Sequence, residues 1–308
     1  MVLNALAGFL ADGLGALWGL ARAADRVMSL HMTPEAQIAK LVADIDLCHS
    51  AILPGDRYTL WAGAHHIGYV KPELAAKLQI LQPEILVSSG KVLMPESLLP
   101  RLNELAVAAG IAQRKEDFDV RATPEGTVLG VLDRGALPSF GVLGTGVHVN
   151  GLVRREEGMH LWVAKRAADK KLDPGKLDHL VAGGISAGYT PFAAMVKEAA
   201  EEAGMEEAQA SRAKAVAEFR YDMERPEGLR RDKIYAYDVE LPGDFSPRPM
   251  DGEVEAFFLW PLAEVKATLL TTDLFKFNVV LVLVDLLLRY GLFTPTEAEQ
   301  LGAALYRG

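Results

Sequence analysis

Residues 182–205, AGGISAGYTPFAAMVKEAAEEAGM, constrain the fold and the chemistry of this chain more than any other stretch. A glycine-rich loop runs into a helix whose two ends are both marked. Thr190 is a good N-cap, Pro191 suits the first helical position, and Gly204 can take the left-handed conformation that stops a helix. Within that helix Glu198, Glu201 and Glu202 stand at i, i+3 and i+4, which puts three carboxylates on one face. Like charges at this spacing repel, and a divalent cation would offset the repulsion. Hard ions such as Mg²⁺ take carboxylate oxygens and leave positions for water and phosphate. Phe192, Met195, Val196, Ala199 and Ala203 remain for the other face and read as core. Glu-x-x-Glu-Glu alone also suits a solvated surface. With loop, caps and carboxylates in one register, the pattern points to metal-assisted chemistry on a phosphate compound.

The segment resembles the Nudix box of pyrophosphohydrolases. Gly183 opens the pattern, and Glu198, Glu201, Glu202 and Gly204 fall at the matching spacings. Two positions depart from it. Tyr189 stands where the box has its first glutamate, and Lys197 where it has arginine. Those two residues usually pair in the family and brace the loop against the helix. Their joint replacement leaves no orphaned charge, so the brace reads as replaced rather than broken.

The chain has 308 residues, room for two ordinary domains, and half of them are apolar. Its net charge of -9 and the lack of a Lys/Arg-rich run argue against a nucleic-acid partner. The single cysteine, Cys48, excludes an intramolecular disulfide and reads as a small buried apolar residue. Residues 1–31 form an apolar extension. It lacks the positive start of a signal peptide and is interrupted by Asp12, so a docked amphipathic helix, or sequence upstream of the real start, is the expectation. The run Val279–Val284 is too short to span a bilayer. A cytoplasmic protein with no membrane partner is expected.

Residues 32–138 read as a smaller α+β domain. It has helices from Thr33, over Pro72–Leu78 and over Pro95–Ala109, strands at Tyr58–Trp61 and Ile67–Val70, and a hairpin over Asp119–Thr123 and Thr127–Leu132. Residues 139–308 read as strands at Val142–Val153, Leu161–Lys165, Ala217–Tyr221, Lys233–Leu241 and Val254–Leu259. Helices over Pro261–Ala267, Phe277–Tyr290 and Thr296–Leu305 follow the last of them. Strands mixed with helices on both sides predict an α/β/α sandwich around a mixed sheet, the fold the resemblance also implies.

The flanks of the box narrow the resemblance. Leu161–Arg166, Asp173–Asp178 and Gly144–Gly151 are similar to the thiamine pyrophosphokinase-related branch of Nudix proteins, in which an uncharacterised N-terminal domain precedes the Nudix domain. The likeness runs over about 32–293, and no kinase domain is expected in these residues. It implies hydrolysis of thiamine diphosphate, or its oxy and oxo forms, to the monophosphate and phosphate. It also implies Mg²⁺ or Mn²⁺ held by Glu198, Glu201, Glu202 and the Gly183 carbonyl, with a general base from the box glutamates Glu198 and Glu202 or from Glu253 on a later loop. Glu253 could equally be an exposed charge at a strand start. Lys165, Arg166 and Asp178 are candidates to meet the substrate; for the two cations the alternative is a solvated strand end. Phe140, Trp162 and Tyr235 would either stack on a thiazolium or serve as core. His148 and the pair His65 and His66 lack a metal-ligand context and read as structural or surface residues. Homodimers are common in the family. Two other functions stay open: a Nudix hydrolase of another nucleoside diphosphate-linked compound, such as ADP-ribose or NADH, and a non-catalytic ligand sensor.

Overall fold

The structure, a computed structural model, describes residues 32–307; the expected apolar extension, residues 1–31, lies outside them. Helix α1 (Pro34–Cys48) starts where Thr33 Oγ1 accepts the Ala36 N–H at 3.3 Å. Strands β1 (Tyr58–Ala62) and β2 (His65–Val70) form a hairpin that turns at Gly63, whose φ of 56° suits glycine. Helix α2 (Pro72–Leu81) leads to β3 (Leu86–Ser88) and β4 (Lys91–Met94), giving a four-stranded sheet in the order β2-β1-β4-β3. The single helix expected over Pro95–Ala109 is instead a 3-10 helix, Glu96–Arg101, continued by α3 (Leu102–Ala108). Pro100 lies inside it and has no N–H to give to an α-helical ladder. Strands β5 (Asp117–Val120) and β6 (Gly130–Asp133) pair as a separate ribbon, and one helical turn, α4 (Leu137–Phe140), ends this part.

Strand β7 (Leu143–Arg155) then organises the large sheet. Strand β8 (Gly158–Arg166), β9 (Leu177–His179) and β10 (Val181–Gly184) lead into helix α5 (Pro191–Ala203) and the short α6 (Glu207–Ala210). Strands β11 (Lys214–Arg225), β12 (Gly228–Leu241) and β13 (Val254–Pro261) complete a seven-stranded sheet with the path β11-β12-β7-β8-β13. Only β12 and β7 run parallel on this path; the other neighbours are antiparallel, so the sheet is mixed. The sheet forks at its centre. Along one edge, β7 pairs with β10 through Val147 and Val149 and with β8 from Gly151 onward. Leu180 fills the fork: a Cβ on Gly151 would lie 2.3 Å from it. Helices α7 (Leu262–Thr271), α8 (Val279–Arg289) and α9 (Pro295–Leu305) close the fold.

Helices α5 and α6 cover one face of the sheet over Val147, Val149, Tyr237 and Val239. On the other face α7, α8 and α9 pack over Leu161, Phe219, Ile234 and Ala236. This is the expected α/β/α sandwich with its mixed sheet. A separate apolar cluster runs from Leu60 to Val142 under the upstream sheet and the ribbon. The clusters do not divide the chain at 138/139. Ile38, Leu41, Ile45 and Cys48 of α1 are buried among the C-terminal helices, whereas Leu137, Phe140 and Val142 belong to the upstream cluster. Helix α1 presents its apolar stripe to α7, α8 and α9, and sequence proximity to β1 does not override that burial. Among the described residues no helix is long and apolar enough to cross a membrane.

Candidate active site

Helix α5 is capped as its sequence dictates. Thr190 Oγ1 accepts the Ala193 N–H at 3.2 Å, and Gly204 takes φ 63°. The buried face is Ala194, Met195, Ala199, Glu202 and Ala203. Phe192, expected in the core, is 44% exposed and lies edge-on to Tyr237, with ring centroids 6.4 Å apart.

The three glutamates sit in different environments. Glu202 is 6% exposed, and its Oε2 accepts the Ala182 N–H of β10 at 2.8 Å. Burial, with the nearby Glu198, Asp178 and Glu253 charges, pushes its carboxyl up to about 8. Glu198 is partly buried and is raised for the same first reason, against the pull of Lys197. Glu201 is half exposed. Lys197 does not reach Tyr189, which lies 44% exposed on the surface. Its ammonium stands between two carboxylates instead, 3.1 Å from Glu198 Oε1 and 2.5 Å from Glu201 Oε2. The residue in the arginine position therefore occupies the place of a cation among these oxygens. Gly183 lies against the same group: a Cβ there would be 2.3 Å from Glu198 Oε2, so a larger residue would push the Glu198 carboxylate aside. Carboxylate oxygens with an adjacent main-chain carbonyl are the hard donors that suit Mg²⁺ or Mn²⁺.

A cavity of about 750 Å³ opens beside Gly183, Lys197, Glu198 and Glu201. Its walls come from both parts of the chain. Arg114, Glu116, Phe118 and Arg134 contribute from upstream; Arg166 ends β8, and Lys170 and Glu253 come from the loops after β8 and before β13. Tyr221, Asp232, Lys276 and Asn278 also line it. Tyr221 Oη donates to Asp232 Oδ2 at 2.5 Å, and Asn278 Nδ2 donates to Tyr221 Oη at 3.3 Å. Asn278 Oδ1 is a buried acceptor with no partner among the described residues, so a ligand with an N–H group would satisfy it.

The structure places the other sequence candidates as follows. Arg166 lines the cavity, but its guanidinium is engaged in holding the 172–178 segment. Nε donates to Asp173 O at 3.1 Å, Nη1 to Asp178 Oδ2 at 2.9 Å and Nη2 to Leu172 O at 2.9 Å. Asp178 is 3% exposed and also accepts from Lys276 Nζ at 3.4 Å; neighbouring cations hold its carboxyl low against the upward push of burial. Lys165 pairs with Glu255 at 2.7 Å and is not among the cavity residues. Glu253 lines the cavity in an ion pair with Lys170. Burial would raise its carboxyl, but Lys170 outweighs that and keeps it below the usual range. Phe140, Trp162 and Tyr235 are outside the lining, and Phe140 is core at 1% exposure.

His148 is buried at 3% exposure, and His179, 1% exposed, faces it with the two Nδ1 atoms 2.8 Å apart. One neutral ring donates to the other, and burial lowers both imidazoles. With Asp178 their ligand atoms lie within 4.8 Å of one another. Arg166 and Lys276 already neutralise that carboxylate, and a metal would have to displace them. The fork in the sheet brings these residues together across 31 positions, which no local pattern signals. Arg114 and Arg134 were missed for the same reason: they lie far from the box in sequence.

A family model described as the NUDIX domain matches residues 144–280. The chain is 42% identical over 200 residues to Nudix hydrolase 20, chloroplastic, of Arabidopsis thaliana, covering 65% of this chain and 53% of that protein. It is likewise 42% identical over 195 residues to Nudix hydrolase 24, chloroplastic, of the same plant, covering 63% and 53%. Both alignments are longer than the domain match, and the chain spans about half the length of these relatives. Among solved structures it is similar to DR0079 from Deinococcus radiodurans, with a TM-score of 0.43 and 20% identity over 55% of this chain and 97% of that one. Residues 144–280 of this chain are a NUDIX domain.

Proposed function

We propose that the chain is a metal-dependent pyrophosphohydrolase that cleaves the diphosphate of thiamine diphosphate or its oxidised analogues to the monophosphate and phosphate. One observation carries the chemistry: of three glutamates on one helix, Glu198 and Glu201 border a large cavity with an ammonium lodged between them where a divalent cation would sit, and Glu202 is buried behind them. The NUDIX domain and relatives named as Nudix hydrolases support a hydrolase acting on pyrophosphate bonds. Glu198, Glu201, Glu202 and the Gly183 carbonyl would hold Mg²⁺ or Mn²⁺, which when bound neutralises phosphate charge and acidifies water. Glu253, kept ionised by Lys170, is the base we assign to take the proton of the attacking water. Water oxygen bonds to phosphorus as the bond from that phosphorus to the bridging oxygen breaks. The thiamine reading rests on the residues flanking the box. It is supported by a cavity large enough for an organic group and by the free acceptor of Asn278. A cytoplasmic setting and a homodimer belong to the same proposal.

The test is phosphate release with Mg²⁺ or Mn²⁺ from oxythiamine diphosphate, thiamine diphosphate, ADP-ribose and NADH, with Glu201→Gln as control. Selective turnover of the thiamine compounds that the variant loses is the expected result. Turnover of ADP-ribose or NADH alone would replace the substrate and keep the chemistry. No turnover of any, by folded and metal-loaded protein, would leave a ligand sensor.

A further inference from the structure

The loop that borders the cavity from upstream of the NUDIX domain is built with unusual care. Asp133, 2% exposed, accepts four main-chain N–H groups. Its Oδ1 takes Arg114 and Gly135, each at 2.7 Å, and its Oδ2 takes Lys115 at 2.7 Å and Glu116 at 3.3 Å. The result is a fixed backbone that holds Lys115 at φ 61°, a left-handed conformation disfavoured for lysine. Gly135 is required at the crossing, since a Cβ there would lie 2.4 Å from Ala112 O.

This loop presents Arg114 and Arg134 to the cavity that Glu198 and Glu201 line. Glu116 pins Arg134 to the NUDIX domain: its Oε2 accepts Arg134 Nη1 at 2.8 Å and its Oε1 accepts Ser186 Oγ at 3.2 Å. The Arg134 guanidinium also lies 5.7 Å from the Phe118 ring centre, and Phe118 is seated where a Cβ on Gly184 would be 2.5 Å from it. Arg134 Nε and Nη2 have no partner among the described residues, and neither does the Arg114 guanidinium. Arg134 and Arg230 each depress the Arg114 pKa, after burial, so three guanidinium groups crowd one region. Arg230 is paired with Asp232 at 3.1 Å and Arg134 with Glu116, which leaves the exposed Arg114 as the member of the three without an ion pair among the described residues. The buried Asp133 carboxylate fixes the backbone that carries Arg114 and Arg134 beside a site for a polyanion.

We infer that Arg114 and Arg134, from outside the NUDIX domain, bind the free terminal phosphate of the substrate. The inference rests on the diphosphate reading above and sharpens its substrate class. A terminal phosphate carries more charge than a phosphate esterified on both sides, and guanidinium groups hold its oxygens in forked pairs. Compounds with a free terminal diphosphate are then favoured over those in which the diphosphate joins two groups. The upstream residues are therefore part of the site.

The test uses the full chain. Binding of methylenediphosphonate, which cannot be hydrolysed, is measured by calorimetry without added metal for the unaltered protein, Arg134→Ala, Arg134→Lys and Arg114→Ala. Arg114 has no side-chain partner to lose, so its variant folds even where Arg134→Ala unfolds. Each alanine variant is expected to bind at least about tenfold more weakly, since hydrogen bonds to charged groups contribute on that scale. The lysine variant should fall between. In parallel, KM for thiamine diphosphate should rise in the alanine variants while KM for ADP-ribose does not. Unchanged methylenediphosphonate affinity in folded Arg114→Ala and Arg134→Ala overturns the inference even if hydrolysis is robust. Weakened affinity in a protein that hydrolyses nothing supports the phosphate site while removing the hydrolase.

Discussion

Glu202 joins the two requirements of the site in one side chain, because it is both a candidate metal ligand and a buried anchor for β10. Its carboxyl is shifted from an ordinary 4.5 to about 8 by burial, so the fold prefers it protonated. The sign follows by linkage: its contribution to stability is complete below 4.5 and is lost as pH rises through about 8. In metal-free protein the thermal midpoint is expected to fall over that interval. Glu202→Gln, which keeps an acceptor for the Ala182 N–H, should flatten the decline. An identical decline in both proteins would show that Glu202 is not its source. Three residues of this site were legible because their spacing is local; Glu198, Glu201 and Glu202 need only a helix. What Lys197 does was not, since the same spacing permits it to face Tyr189 or the carboxylates. The contest is settled by distance: Glu201 is one turn away on its own helix, and Tyr189 lies before the N-cap.

At the scale of elements, helix α8 shows how an apolar segment accommodates a charge. Nine of its residues are buried, Asp285 among them. That carboxylate accepts Arg289 Nε at 2.7 Å and Tyr306 Oη at 2.5 Å, and Arg289 Nη1 continues to Asp238 Oδ2 at 2.6 Å on β12. Arg289→Ala leaves two carboxylates short of a partner. It should destabilise the protein by about 1–3 kcal/mol in urea unfolding, with Asp285→Asn in the same background recovering part of the loss. A single variant as stable as the parent would mean that water serves Asp285 equally well. The helix itself was readable from its apolar run. Its partners were not, because Tyr306 and Asp238 reach it only after the sheet and α9 are in place. Strands β3 and β4 escaped notice for a different reason: three and four residues long, with exposed Leu86 and Leu93, they carry too little alternation to stand out.

For the whole molecule, the order of elements was largely legible and their allocation between cores was not. Periodicity identifies α1 as amphipathic, but any apolar surface would satisfy its stripe. The structure gives that stripe to α7, α8 and α9. A fragment of residues 139–308 should therefore expose the ground that Ile38, Leu41, Ile45 and Cys48 cover, and lose cooperative unfolding. Adding residues 32–50 as a separate peptide should restore it in part. A fragment that unfolds as cooperatively as the full chain would show α1 to be dispensable. The upstream sheet is fastened to the large one by Arg57 with Glu224, at 2.8 Å from Nη2 to Oε2, and by Arg231 Nη1 with Gly141 O at 3.0 Å.

The packing of α1 against α9, reinforced by the ion pair of Asp46 with Arg307, bears on how the chain is made. Synthesis delivers α1 before both sheets and its helical partners after them. On the ribosome its apolar face stands uncovered while more than two hundred residues are added, so a holdase chaperone has a defined segment to guard, and the emergence of α7, α8 and α9, rather than completion of the NUDIX box, sets the moment at which the native core can close.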